Sequence, residues 1–232
     1  MILVIRYISD YSPAGVNASQ KIYQFLELRG DSVVTSSGNL TSEGRVVLVM
    51  SGSRSVLDLQ GASSITFPPE RCLQNLDRCE KGFTVSVTFR TLFSPSDPKA
   101  RVYVLDSGSD HSNVTGLTLY SESDRLTCVL AGTTQVWRLE LQHRLVPAVW
   151  HQFHLSWHPV LGLTLWAGLH VLGSAVLGEP RLFGPVQDHR PLRFGSLDNA
   201  ASTHLQVSGL SVMEVFVVDV LEGGLAGEWA HI

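Results

Sequence analysis

The stretch Phe83–Arg90, FTVSVTFR, alternates without a break. Phe83, Val85, Val87 and Phe89 share one parity; Thr84, Ser86, Thr88 and Arg90 share the other. Successive side chains of a strand point to opposite faces, so the pattern fits a half-buried β-strand and not a helix, which repeats every ~3.6 residues. RVYVLDSGSD is a second β-rich run, closed by a Gly, Ser and Asp cluster. GLTLYSESDRLTCVLAGTTQVWRLEL reads as three short strands separated by SESD and AGTT, and GLTLWAGLHVLGS, PLRFGS and LSVMEVFVVDV continue the series. Prolines and glycines punctuate the joins at Pro159, Gly178, Pro180, Gly184, Pro185 and Pro191. Turn signals therefore arrive roughly every 8–12 residues, the spacing of an antiparallel sandwich.

The expected fold is all-β, a two-sheet antiparallel sandwich over residues 20–232, with 1–19 as a poorly ordered leader. The one segment with helical spacing is Gln20–Arg29, where Ile22, Phe25 and Leu26 fit a helix over two turns only. A short helix and a first strand both remain open there.

The segment WHQFHLSWHP, from Trp150, carries three histidines that could suggest a metal or catalytic site. On a strand, His151, Phe153, Leu155 and Trp157 take one face, while Trp150, Gln152, His154, Ser156 and His158 take the other. Phe153, Leu155 and Trp157 make the inward face, His151 sits at the strand's start, and His154 and His158 are expected in solvent. His151 and His154 then diverge. His154 and His158 stand about 13 Å apart at roughly 3.3 Å per residue, too far for ligands that each lie about 2 Å from one zinc. A helix would align the three imidazoles, but Pro147 and Pro159 bracket the segment and β-rich sequence follows. No metal site is expected.

Catalytic patterns are also missing: there is no His-Glu-x-x-His, Gly-x-Ser-x-Gly, Cys-x-x-Cys or phosphate-binding glycine loop. No strand offers the paired carboxylates that flank a glycosidic bond in a hydrolase. Glu122 and Asp124 lie in a turn. The acidic loops Asp106–Asp110 and Asp198-Asn199 could hold calcium at a rim, although neither has ligand-dense spacing. A net charge of -4 and pI near 6.1 argue against nucleic acid. The longest apolar runs, such as Val215–Val218, fall far short of the roughly 20 residues that span a bilayer. The apolar start MILVI is shorter than the ~7–15 residues of a secretion signal, so none is expected in it.

Other features point outside the cell. Asn17, Asn39 and Asn113 each begin an Asn-x-Ser/Thr acceptor, three of the five asparagines present. Cysteines occur at 72, 79 and 128. CLQNLDRC has the gap of a short clip; if Cys72 and Cys79 pair, the loop stabilises by roughly 2–3 kcal/mol. Three free buried thiols are the alternative, and Cys128 could also pair with either of the others. Outward-facing Trp150 and Trp166 could stack on sugars, or be covered by the opposing sheet or the N-terminal segment. Ser94–Ala100, Ser107–Val114 and Arg181–Arg190 are candidate contact loops.

Several of these residues resemble a known family. VWHQFHLSWHPVLGLTLWAGLHV is similar to the Trp-His strand and following hairpin of laminin-G-like and pentraxin-like jelly rolls, matched at Trp150, His151, Phe153, Leu155, Trp157, Leu163, Leu165 and Gly168. PLRFGSLD resembles the next strand, and VSGLSVMEVFVVDVLEGGLAGEW the closing strand and short helix. CLQNLDRCEKGFTVSVTFR resembles the cysteine element that leads into the core strand in ectodomains of group D adhesion G-protein-coupled receptors, and IYQFLELRGDSV their opening. The resemblance covers residues 20–232 and implies a Cys72–Cys79 disulfide. It also implies a non-catalytic extracellular module, without the receptor's membrane region, that binds a protein or glycan. A calcium-dependent lectin is the second reading. Where the family carries Asp in the hairpin this chain has Ala167, and the clustered calcium ligands of pentraxins have no counterpart.

Overall fold

The computed structural model describes residues 22–29, 32–35, 41–52, 54–67, 76–92, 99–110, 114–181, 188–198 and 203–213. Among them the chain is antiparallel β-structure, apart from one 3-10 turn at Leu76–Arg78 and one short parallel pairing. In chain order the strands are β1 (Ile22–Arg29), β2 (Ser32–Thr35), β3 (Thr41–Ser51), β4 (Arg54–Thr66), β5 (Phe83–Thr91), β6 (Arg101–Asp106), β7 (Val114–Glu122) and β8 (Arg125–Ala131). They continue as β9 (Gln135–Gln142), β10 (His151–His158), β11 (Gly162–Ala167), β12 (His170–Ala175), β13 (Glu179–Pro180), β14 (Asp188–His189), β15 (Arg193–Ser196) and β16 (His204–Met213). The expected all-β architecture is observed. Ile22–Arg29, where helix and strand were both open, is a strand paired with β16 and β2. Two turns of apolar spacing are too few to outweigh the hydrogen bonds offered by two neighbouring strands.

The strands follow one hydrogen-bonded path, β12-β11-β10-β5-β16-β4-β15-β6-β7-β8-β9-β13. That path curls into two facing layers, and β4 makes the corner. Its residues Leu57–Gln60 pair with β16, whereas Ser63–Thr66 pair with β15. Between the two runs Gly61 takes φ +66°, a conformation glycine adopts without strain. The neighbouring strand β3 bends with it: Gly44 has φ +75°, and a Cβ there would collide with the Ala62 carbonyl.

The core lies between the layers. Phe83, Val85, Val87 and Phe89 of β5 are all buried, as the alternation predicts. Phe89 meets Phe194 of β15 edge-on at 6.4 Å, and Trp157 of β10 meets Trp137 of β9 at 5.2 Å. At the edge of the first layer, Gly173 of β12 lies so close to Leu141 of β9 that an added Cβ would come within 2.7 Å. Burying each such large side chain stabilises the fold by about 1.5–3 kcal/mol.

Candidate binding site

The segment 151–158 is the strand β10, and Phe153, Leu155 and Trp157 of its inward face are 1%, 2% and 2% exposed. His151 is half-buried at the strand's start, within 6.2 Å of the His143 ring and 5.8 Å of Phe89. His154 lies on the opposite face, so the two imidazoles diverge as expected. One expectation fails. His154 is not in solvent: it is half-buried and shares a 2.7 Å hydrogen bond between its Nδ1 and Ser86 Oγ. The outer face of the first layer is itself partly covered there, and the adjacent Thr84 and Ser156 are buried and bonded to each other at 3.0 Å. Burial pushes the pKa of His143, His151 and His154 below the ordinary imidazole value.

A connected polar group occupies the same outer face nearer the corner. On β4, Asp58 and Gln60 alternate with buried Leu57 and Leu59; on β16, His204 and Gln206 alternate with buried Leu205 and Val207. Strand register sets His204 beside Gln60, and Gln206 between Asp58 and Arg90. The Asp58 Oδ1 atom accepts from His204 Nε2 at 2.6 Å and from Gln206 Nε2 at 2.5 Å, while Oδ2 accepts from Gln60 Nε2 at 2.9 Å. Burial alone would push the Asp58 carboxyl up, but the hydrogen bonds from Gln206, Gln60 and His204 outweigh it and hold the carboxyl below its ordinary value.

From this buried anchor the network runs outward. Arg90 donates from Nε to Gln206 Oε1 at 2.9 Å and from Nη2 to Ser51 Oγ at 2.5 Å. Its guanidinium lies over the Trp150 ring, 4.8 Å from the centroid. Trp150 is held by the turn before β10, where Ala148 takes φ +62° and donates its N–H to the Thr91 carbonyl at 2.6 Å. Arg90 and Trp150 are both half-exposed. Among the described residues, two of the five guanidinium N–H groups serve Gln206 and Ser51, beside an aromatic face. Such a pair can hydrogen-bond and stack on a polar ligand at once.

The other expected positions divide. Trp150 keeps an open side, whereas Trp166, paired with His154 on β11, is covered to 9% exposure. Gly168 takes φ +55° in the two-residue turn between β11 and β12, so the hairpin forms with Ala167 before it. Cys79 is buried, and Cys128 is a free, fully buried thiol whose pKa burial raises. Cys72, Asn17, Asn39 and Asn113 lie outside the described residues, as do much of loops 94–100 and 181–190. Asp106 and Asp110 are engaged internally: Asp106 accepts from Ser196 Oγ at 2.6 Å and Gly108 N at 2.7 Å, and Asp110 accepts from Tyr103 at 2.9 Å and Arg101 at 3.1 Å. No group of three or more His, Cys, Asp or Glu suited to a metal exists among the described residues. No helix among them is long and apolar enough to cross a membrane.

Sequence reading missed Asp58, Gln60, Arg90, His204 and Gln206. A signal was present: Asp-x-Gln in RSVLDLQG and His-x-Gln in THLQVSG each put polar side chains on one strand face. What parity could not supply was the register that joins residues 146 positions apart.

The fold defines a class, the all-β antiparallel sandwiches, and solved members of it share this chain's architecture. No protein-family profile and no curated protein matches the sequence. Among structures, a botulinum neurotoxin type C chain, whose route into cells is described as dependent on two ganglioside molecules, superposes with TM-score 0.64 at 12% identity over 88% of this chain. The binding domain of botulinum neurotoxin DC superposes equally well in its complex with SialylT, at TM-score 0.64 and 12% identity. In complex with rat synaptotagmin II the same domain gives 0.63 and 11%. This chain spans only about half of each, 51%, 50% and 50% respectively. At such identity the likeness is one of fold.

Proposed function

We propose that the chain is a non-catalytic extracellular recognition module that binds a protein or glycan ligand through the Trp150–Arg90 patch. One observation carries the reading: a half-buried indole under a guanidinium that is braced from behind by the buried Asp58 network. Bracing matters because a side chain already held in its bound geometry loses less conformational freedom when the ligand arrives. The two botulinum neurotoxin DC structures are binding domains, which supports the same class of role on this fold.

The resemblance across residues 20–232 supports a finer assignment, the ectodomain part of a group D adhesion G-protein-coupled receptor at the cell surface. In that setting Cys72 joins Cys79, and Asn17, Asn39 and Asn113 carry glycans. Recognition in this reading needs no calcium, since Asp106 and Asp110 already serve protein donors.

A glycan array and a panel of cell-surface proteins, each probed with calcium and with chelator, test the proposal. Binding that survives chelation and is lost in both Trp150→Ala and Arg90→Ala is the expected result. Binding unaffected by either substitution rejects the patch, and binding abolished by chelator favours the calcium-dependent lectin.

A further inference from the structure

We infer that a cavity at the far end of β10 from Trp150 is a binding site for a small uncharged molecule that carries a carbonyl oxygen. The cavity measures about 250 Å³ and lies where the β8–β9 turn, the end of β10 and the 3-10 turn come together. Leu76, Trp137 and Trp157 form its buried floor, and exposed Glu80, Thr134 and Gln135 stand at its mouth. Trp157 lies roughly 23 Å along the strand from Trp150, at about 3.3 Å per residue. The site is therefore distinct from the Trp150–Arg90 patch.

Two donors of the lining residues lack partners. Trp137 and Trp157 are 5% and 2% exposed, and neither indole N–H has an acceptor among the described residues. A buried N–H left unpaired costs free energy, so two such groups on the residues of one cavity call for an acceptor inside it. The indole nitrogen donates and does not accept, which makes the missing group an oxygen with lone pairs. Charge narrows the choice further. Among the described residues that line the cavity, Glu80 alone carries a charge. An anion would face that carboxylate with no cation to offset it, and a cation would meet the positive ends of two N–H dipoles. An uncharged carbonyl meets neither objection.

Size and rigidity set the rest. An apolar cavity of about 150 Å³ already holds one benzene ring, so this one admits a single ring bearing its carbonyl. The walls are fixed before any ligand arrives. Trp137 and Trp157 hold each other edge to face, 5.2 Å apart. Gly178 packs so closely behind Trp137 that an added Cβ would come within 2.8 Å of its Cε2. Arg181 pins the β8–β9 turn, donating from Nη1 to the Gly132 carbonyl at 2.5 Å and from its backbone N–H to the Thr134 carbonyl at 2.9 Å. Side chains already held in place lose little freedom on binding.

Nitrogen-15 labelling of the full chain gives one indole N–H signal in an NMR spectrum for each of its five tryptophans. Trp137→Phe and Trp157→Phe each identify one signal by deleting it. The probe is cyclohexanone, with cyclohexanecarboxylate and cyclohexylammonium as its charged counterparts. Cyclohexanone should move the Trp137 and Trp157 signals downfield, saturating with a dissociation constant of about 1 mM or tighter, while the Trp150 signal stays in place. Neither charged compound should bind, and Glu80→Gln should admit the carboxylate. Trp137→Phe keeps an aromatic wall but removes a donor, so it should weaken cyclohexanone binding roughly tenfold. Wild-type signals of Trp137 and Trp157 that stay put, or that move no more than those of the other tryptophans, overturn the inference. So does binding of either charged compound as tightly as the ketone, or undiminished ketone binding in Trp137→Phe.

Discussion

Trp137 of β9 and Trp157 of β10 meet edge to face across the two layers, with ring centroids 5.2 Å apart and planes inclined by 73°. Phe83 packs against the same Trp157 from 5.7 Å. An indole fills much of the space where the layers come together at this end. Trp157→Ala should therefore destabilise the chain by about 3–5 kcal/mol, the cost of a large cavity in a core. Urea unfolding followed by near-ultraviolet circular dichroism measures it, and a loss under about 1 kcal/mol would mean the layers collapse onto the gap.

The Asp58 carboxylate is 4% exposed and receives three side-chain donors. Asp58→Ala leaves Gln206 and His204 without their acceptor and should cost about 1–3 kcal/mol. Trp150→Ala, at a half-exposed position, should cost far less and affect binding instead. Parallel melts of the two variants check this; equal losses of stability would make Trp150 a core residue.

Acid should loosen the fold before the carboxylates titrate. His143, His151 and His154 have folded pKa values held below 6.5 by burial, so the unfolded chain takes up their protons first. Their contribution to stability is complete above pH 6.5 and is lost as the pH falls through 6.5 toward the lower folded values. Thermal midpoints should be flat from about pH 8 to pH 7 and then decline toward about pH 5. His154→Gln should flatten part of the decline. An unchanged midpoint across that interval would show that the imidazoles charge freely in the folded state.

Cys128 is fully buried between layers, and its thiol stays protonated. A maleimide reagent should leave it unmodified in the native chain and label it once in denaturant. Peptide mapping of protein from a secretory cell line should find Cys72 joined to Cys79, with glycans on Asn39 and Asn113. Labelling of all three thiols in denaturant without reductant would remove the bridge, and bare asparagines would count against the compartment.

Much of the architecture was legible because strand parity is a local property. FTVSVTFR and HQFHLSWH showed their inward faces directly, and Phe89, Phe153 and Trp157 lie where the alternation put them. Two things depend on partners distant in sequence and were not legible. The corner at Gly61, where β4 passes from β16 to β15, has no local signature beyond a glycine in a long apolar-polar run. His154 was assigned to solvent by its parity alone; its cover comes from Ser86 across the β5–β10 register and from the neighbouring Trp166 position. The Asp58 site needed the same kind of knowledge, since β4, β5 and β16 must be aligned before its members meet.

The most direct measurement is a titration of the chain against whichever glycan or protein the array selects, with wild type, Arg90→Ala and Trp150→Ala compared in chelator. Removing the stacked indole or its guanidinium should lower affinity at least about tenfold; Trp150→Ala should melt close to wild type, whereas Arg90→Ala should lose about 1–3 kcal/mol by leaving the buried Gln206 Oε1 without its donor. Equal affinities for all three proteins would contradict the account, because recognition would then lie elsewhere on the molecule.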